Sequence, residues 1–461
     1  MKKNSLIIFL SLTLSLVGCA SSNSSSASKK KDSSEKQTTL KVNSSYIDLN
    51  ISSESELSLK EYSFKFTYKD SLFSKSATTF SKDLALLSYG LGVANQDKET
   101  MSKFYSDLAF SNVEYAEEYD EGPKVSGVGY TFAIKETSKY NLVAVSIRGF
   151  NYTVQWLDNF QLGDEGDHLG FAEKADAVHL ELKDYISKID NNKPVKLWMA
   201  GYSRGGAIIN VLANRVMSSP LTSISNENIY VYTFESPRAL SEEHAIAYDN
   251  VFNIINSADL VTKLAPEQYG LYRCGKDIEI YSKDFDKNIK AYDKDAVIPA
   301  YQSSLLYKDD AGLADYLLKC LLSEDEVEEG ERNWSASTRE LYNENYGEDI
   351  RYLIAIISAT EGVSMEDIMN AYTNMDITQL LTLIGSSAGF LTFVEETLDG
   401  LNIEYEEVDL EKAVEDLYHY FSQSAVLRAL TALASKDTIV RLLDMHMPDT
   451  TYMLLNALKI L

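Results

Sequence analysis

Cysteine, histidine and positive charge are scarce in this chain of 461 residues. Three cysteines with no CxxC pair exclude a disulfide-built scaffold and a cysteine-held zinc site. Five histidines lie far apart with no HExxH, and no GxxxxGK occurs, so the helix-borne zinc and P-loop signatures are both missing. No cofactor or metal is expected. Lysine and arginine number 43 against 69 acidic residues, a formal net charge of −26 at pH 7. No basic cluster offsets it, which argues against a nucleic-acid partner, because a polyanion would be repelled. Long apolar runs are also lacking. Gln379 to Val394 is short for a membrane span, is interrupted by Gly385, Ser386, Ser387 and Gly389, and better suits a buried or pocket-facing helix.

What is present is globular in character: 45% hydrophobic and 24% charged residues. The length suits two or three domains, or one large domain with insertions. The first residues read as an address. Lys2 and Lys3 precede an apolar stretch from Ile7 to Val17, as in a signal peptide spanning 1–18. Leu16-Val17-Gly18-Cys19 resembles a bacterial lipobox, which implies cleavage before Cys19, a diacylglycerol on its sulfur and attachment to the extracytoplasmic face of the cell membrane. An ordinary cleaved signal with a chance cysteine is the alternative. Residues 19–39 are almost all serine, lysine and small polar residues, which suits a flexible tether.

From residue 40 the pattern becomes structured. Tyr62, Phe64, Phe66 and Tyr68 alternate with polar residues, as a strand does. Residues 80–112 read as helix. Strands are expected at 128–134, 142–147, 195–200, 229–234 and 251–256, with helices at 173–189 and 207–216. Leu142 to Ile147 is nearly continuous apolar sequence, the mark of a strand buried on both faces. Strand–helix alternation predicts an α/β fold with a mostly parallel sheet over 40–265. Residues 266–440 read as an acidic and helical insertion or cap, and 441–461 as a C-terminal segment. The carboxylate-rich stretches 324–331 and 404–411 read as solvated faces. Cys274 and Cys320 could pair or remain a buried free pair.

The strongest local signal is Gly201-Tyr202-Ser203-Arg204-Gly205. It lies between a hydrophobic strand and an apolar helix, the setting of a nucleophile elbow, where a sharp turn exposes the serine hydroxyl and needs small neighbours. The N–H of Arg204 would face a developing oxyanion. A serine needs a base, and the base an orienting acid, in the chain order Ser, Asp/Glu, His. Asp259 follows the strand 251–256 and fits the acid, a turn or capping aspartate being the alternative. His419 and His446 lie beyond it. His419 sits in a helical run, as a packed or surface residue does. His446 precedes Pro448, which breaks the helix and leaves a loop able to reach the sheet edge, so His446 is the expected base.

The stretch 143–266 resembles the class 3 lipases of the α/β-hydrolase superfamily. The matching pieces are Ser146 to Phe150, Trp156 to Asn159, His168 to Phe171, the elbow, Thr233 to Arg238, and Asn256 to Pro266. His446-Met447-Pro448 with Tyr452 is similar to the ending of bacterial members. The resemblance implies an α/β-hydrolase sheet with a large helical cap between acid and base, Ser203 as nucleophile, Asp259 as acid and His446 as base. It places the oxyanion donors on the backbone of Gly149, Phe150 and Arg204, makes His168 a structural neighbour, and makes an ester or lipid the substrate. The chain departs from the pattern at Tyr202 and Arg204, where the family has His and Leu, and at Glu235, where it has Gly. Arg204 leaves two readings open, an anion-binding guanidinium or one paired with a carboxylate. A non-catalytic lipoprotein that binds a ligand or partner on a hydrolase fold is the competing functional reading.

Overall fold

The computed structural model describes residues 44–52, 61–117, 119, 127–149, 158–190, 192–218, 224–299, 309–322, 338–349, 351–352, 387–400, 404–423, 438, 441–442 and 444–458. In chain order its strands are β1 (Ser44–Ser52), β2 (Glu61–Lys69), β3 (Ser111–Tyr115), β4 (Tyr130–Glu136), β5 (Asn141–Ile147), β6 (Val195–Tyr202), β7 (Ile229–Phe234), β8 (Val251–Ile255) and β9 (Lys276–Glu279). The α-helices are α1 (Lys82–Ala94), α2 (Lys98–Asp107), α3 (Leu169–Ser187), α4 (Arg204–Ser218), α5 (Phe285–Tyr292), α6 (Asp310–Leu322), α7 (Arg339–Tyr342), α8 (Ser387–Gly400), α9 (Glu407–Gln423) and α10 (Pro448–Ala457).

Seven strands form one sheet in the order β3-β4-β5-β6-β7-β8-β9. β3, β4 and β5 pair antiparallel; β5 through β9 run parallel. The side-chain period of two sends alternate residues to opposite faces. Val143, Val145, Leu197, Met199, Ile229 and Val231 face α3 and α4. Ala144, Trp198, Ala200, Tyr230, Tyr232 and Phe252 face α1, α2, β2 and the C-terminal helix. Every residue of β5 is therefore buried. Trp198 places a large apolar ring on the second face, and its Nε1 donates to Ser88 Oγ on α1 at 2.8 Å, so its polar edge is satisfied too. β1 and β2 make a separate antiparallel pair, and Phe64, Phe66 and Tyr68 on β2 pack inward on that face.

Three departures from the sequence reading concern the frame. The stretch 80–112 is two helices and the start of a strand. The first helix ends at Ala94 with Asn95 as its C-cap, and Asp97 caps the second, its carboxylate accepting from the Thr100 N–H at 2.7 Å. β3 begins at Ser111, an edge strand with little burial to signal it. The sheet also runs past residue 265: β9, pairing with β8, is its seventh strand.

Later elements are tied to this frame by buried charge. Arg441 donates to both oxygens of Asp310 on α6, at 2.6 and 2.8 Å, and to Asp286 on α5. Arg339 on α7 donates to the carbonyls of Leu162, Gly163, Glu165, Gly166 and Asp167, filling a ring of main-chain acceptors with one guanidinium. The acidic side chains of 404–411 are exposed, and the stretch 324–331 lies outside the described residues. Cys274 is a buried free thiol whose Sγ lies 3.4 Å from the Asn210 carbonyl, and the Cys320 side chain lies outside the described ones. Among the described residues no helix is long and apolar enough to cross a membrane. α8 takes up the second part of the apolar stretch 379–394; residues 379–386 lie outside the described set.

Candidate active site

β6 ends at Tyr202, α4 begins at Arg204, and the whole reversal falls on Ser203, whose φ is +53°. That left-handed conformation is costly for any residue with a Cβ and persists where the surroundings over-determine it. Here the Ser203 N–H donates to the Phe234 carbonyl at 2.8 Å, tying the turn to β7. The flanking glycines are sterically required. A Cβ on Gly205 would sit 2.2 Å from the Ile147 carbonyl oxygen. One on Gly149 would sit 1.6 Å from the Tyr202 oxygen, so the chain leaving β5 lies directly against the elbow.

Three side chains remote in sequence meet here. His446 Nε2 is 2.9 Å from Ser203 Oγ, and His446 Nδ1 is 2.6 Å from Asp259 Oδ2. Ser203 is 7% exposed, His446 6% and Asp259 1%. Asp259 follows β8, and its other oxygen accepts from the Val261 N–H at 2.8 Å, so the carboxylate is aimed by its own turn. His446 lies just before α10, with Pro448 as that helix's first residue, where a missing N–H costs nothing. This is a hydroxyl, an imidazole and a carboxylate in one hydrogen-bonded series, able to draw a proton from the serine.

The remaining expected residues fall as follows. Gly149 is buried against the elbow, and Arg204 is the first residue of α4, with its N–H at the helix N-terminus. Phe150 and Cys19 lie outside the described residues. The Arg204 side chain is buried and donates to Asp158 Oδ2 at 2.8 Å, with Lys174 3.6 Å from the same oxygen. Of the two readings of Arg204, pairing with a carboxylate is the one observed. Burial raises the Asp158 carboxyl above its usual range, opposed by Arg204 and Lys174. His168 is fully buried, stacks on Phe171 with centroids 4.0 Å apart and has Nε2 3.2 Å from the Asn159 carbonyl. Burial pushes it down to about 3, so it stays neutral. His419 lies within α9, and its side chain is outside the described ones.

Several contributors escaped the sequence reading. The Tyr202 hydroxyl donates to the His446 carbonyl, and its ring lies 5.4 Å from the imidazole at 29°. Asn256 Nδ2 donates to the Met445 carbonyl at 2.9 Å while its Oδ1 accepts from the Ala258 N–H. One amide thus holds the acid's turn and the base's segment together. Glu235, fully buried at φ +48°, accepts from the Asn256 N–H at 2.8 Å. Its replacement of a family glycine was the one available signal. No group of three or more His, Cys, Asp or Glu able to hold a metal occurs among the described residues.

Residues 144–269 match the model of the family Lipase (class 3), a span that includes the elbow and Asp259. The chain carries the machinery of a carboxylic ester hydrolase. Solved structures similar to this hydrolase include the Rhizomucor miehei lipase propeptide complex, 17% identical, covering 45% of this chain and 71% of that one with a TM-score of 0.36. The lipase of Rhizopus microsporus var. chinensis is 16% identical over 44% of this chain and 77% of that one, with a TM-score of 0.33. Lipase II from Rhizopus niveus is 17% identical over 46% and 80%, with a TM-score of 0.32. Similarity of this degree says nothing about substrate. No curated protein matches the chain.

Proposed function

We propose that this hydrolase cleaves acyl esters of lipids at a membrane surface to which Cys19 anchors it. The observation that carries the chemistry is the Ser203–His446–Asp259 series, with contacts of 2.9 and 2.6 Å. Ser203 Oγ attacks the ester carbonyl as His446 Nε2 takes its proton. Asp259 holds the Nδ1–H tautomer and stabilises the imidazolium. The N–H of Arg204 and the backbone at Gly149 and Phe150 receive the negative charge on the former carbonyl oxygen. Collapse expels the alcohol, which takes the proton from His446, and leaves an acyl-serine. Water, deprotonated by His446, then releases the carboxylic acid and restores the serine.

A lipid acyl group suits a chain whose N-terminal residues carry the lipobox-like Leu16 to Cys19 and a polar tether. The test is a p-nitrophenyl ester series of increasing acyl length on the detergent-solubilised full chain. Ser203→Ala should lower kcat on the order of 10⁶-fold; equal rates in the two proteins would remove Ser203 from the chemistry. Cys19→Ser should move the protein out of the membrane fraction with its ester hydrolysis intact. Retention in that fraction would contradict the anchor alone.

A further inference from the structure

Behind the triad lies a second carboxyl that the ester chemistry does not use. Glu235 follows β7, is fully buried, and keeps a side chain at a positive φ that favours glycine. Its Oε2 accepts from the Asn256 N–H, three residues before Asp259. Its Oε1 lies 3.2 Å from Thr451 Oγ1, on the first turn of α10 and five residues after His446. One side chain therefore touches the segment carrying the acid and the segment carrying the base.

The hydrogens around it accommodate a neutral acid, and its burial favours one. The one hydroxyl proton of Thr451 can go to Glu235 Oε1 or to the Met447 carbonyl, 3.4 Å from Thr451 Oγ1, which also accepts from the Thr451 N–H at 3.2 Å. Tyr89, also beside Thr451, donates to the Pro448 carbonyl at 2.5 Å and supplies neither. With a proton on Glu235 Oε1, Glu235 donates to Thr451, and the Thr451 hydroxyl turns to the Met447 carbonyl. The charges around Glu235 favour the same state. Asp259 faces it from the loop after β8. Arg273, the cation that acts on it, is engaged by the carbonyls of Ser236 and Thr262 and by Asp277. Burial, and after it Asp259, pushes the Glu235 carboxyl well above its usual range.

We propose that Glu235 is a positioning residue, a neutral carboxylic acid that clamps the Asp259 loop to the His446 segment by accepting from Asn256 and donating through Thr451 to Met447. Its positioning role rests on the reading of Ser203, Asp259 and His446 as the reacting groups. Neutrality leaves the imidazole facing the charge of Asp259, 2.6 Å from its Nδ1, without a second anion behind it. An ionised Glu235 would add negative charge, stabilise the imidazolium, and move the acidic limb of the pH–rate profile to higher pH.

The test compares the full-length wild type with E235Q and E235A. Glutamine reproduces the donor and acceptor pattern of the neutral acid. E235Q should therefore recover the wild-type kcat to within about threefold, with a superimposable acidic limb, while E235A loses roughly 10- to 100-fold in kcat at constant KM. A limb displaced to lower pH in E235Q would show that Glu235 is an anion in the wild type. Full activity in E235A would remove the positioning role. Thermal unfolding reads the protonation state without any turnover. An acid whose folded pKa is raised binds more protons folded than unfolded, so it loses stability as pH rises above the unfolded value. The melting temperature of E235Q should therefore gain on the wild type from about pH 5 to about pH 8. A shrinking difference over that range would overturn the neutral acid. An inactive wild type that still showed the gain would sink the hydrolase reading, and the positioning role with it, but not the neutral acid. Should neither variant fold, the infrared spectrum of the wild type at neutral pH decides: a protonated-carboxyl C=O stretch supports the proposal, and its absence overturns it.

Discussion

The two halves of the site are held in different ways. Ser203 and Asp259 follow the ends of β6 and β8, and main-chain geometry fixes them: the Ser203 N–H on the Phe234 carbonyl, and the Asp259 carboxylate on its own turn. His446 comes from the far end of the chain and is held by side chains. Tyr202 grips its carbonyl, Asn256 grips that of Met445, and Arg441, five residues earlier, is paired with Asp310. The sheet-held half is built into the fold, so damage there should destroy the protein. The base is docked onto it, so damage there should leave a folded protein that works poorly.

That contrast can be broken in two places. The larger effect is expected at the junction of β5 with the elbow. Gly149→Ala puts a methyl group 1.6 Å from the Tyr202 carbonyl oxygen, where main chain faces main chain and nothing flexible can yield. We expect a loss of more than about 4 kcal/mol, seen as collapse of the thermal transition or of soluble yield, since overpacking against fixed backbone belongs to the severe class of substitutions. A wild-type melting curve would mean that the elbow is not rigid. The smaller effect is on the docked half. Tyr202→Phe removes one buried hydrogen bond, worth about 1 kcal/mol, while keeping the ring over the imidazole. The protein should stay folded with a slightly lower melting temperature and lose about three- to tenfold in kcat, through an imidazole less well held. Unchanged kcat would mean that the base needs no such grip.

The same contrast explains what could be read from the sequence. β5 announces itself because both of its faces are buried, and the elbow because strand, glycines and helix are contiguous. Asp259 follows from its place after β8, and His446 from chain order and Pro448. β9, with the sequence Lys-Asp-Ile-Glu, has no apolar run, since an edge strand is recruited by main-chain pairing. The break between Asn95 and Asp97 was hidden by apolar residues that keep helical spacing on either side. Tyr202, Asn256 and Thr451 carry no local signature of what they do, because their partners lie from 189 to 244 residues away in sequence. Glu235 left a trace only as a side chain where a resembling family keeps glycine.

The central claim is that Ser203 is a nucleophile activated by His446. Fluorophosphonate labelling of the full chain, mapped by peptide mass spectrometry, tests it directly. The account predicts one phosphonate per chain, on Ser203, with labelling lost or slowed by orders of magnitude in His446→Ala. Absence of label on the folded wild-type protein, or label on another residue with Ser203 unmodified, would contradict it.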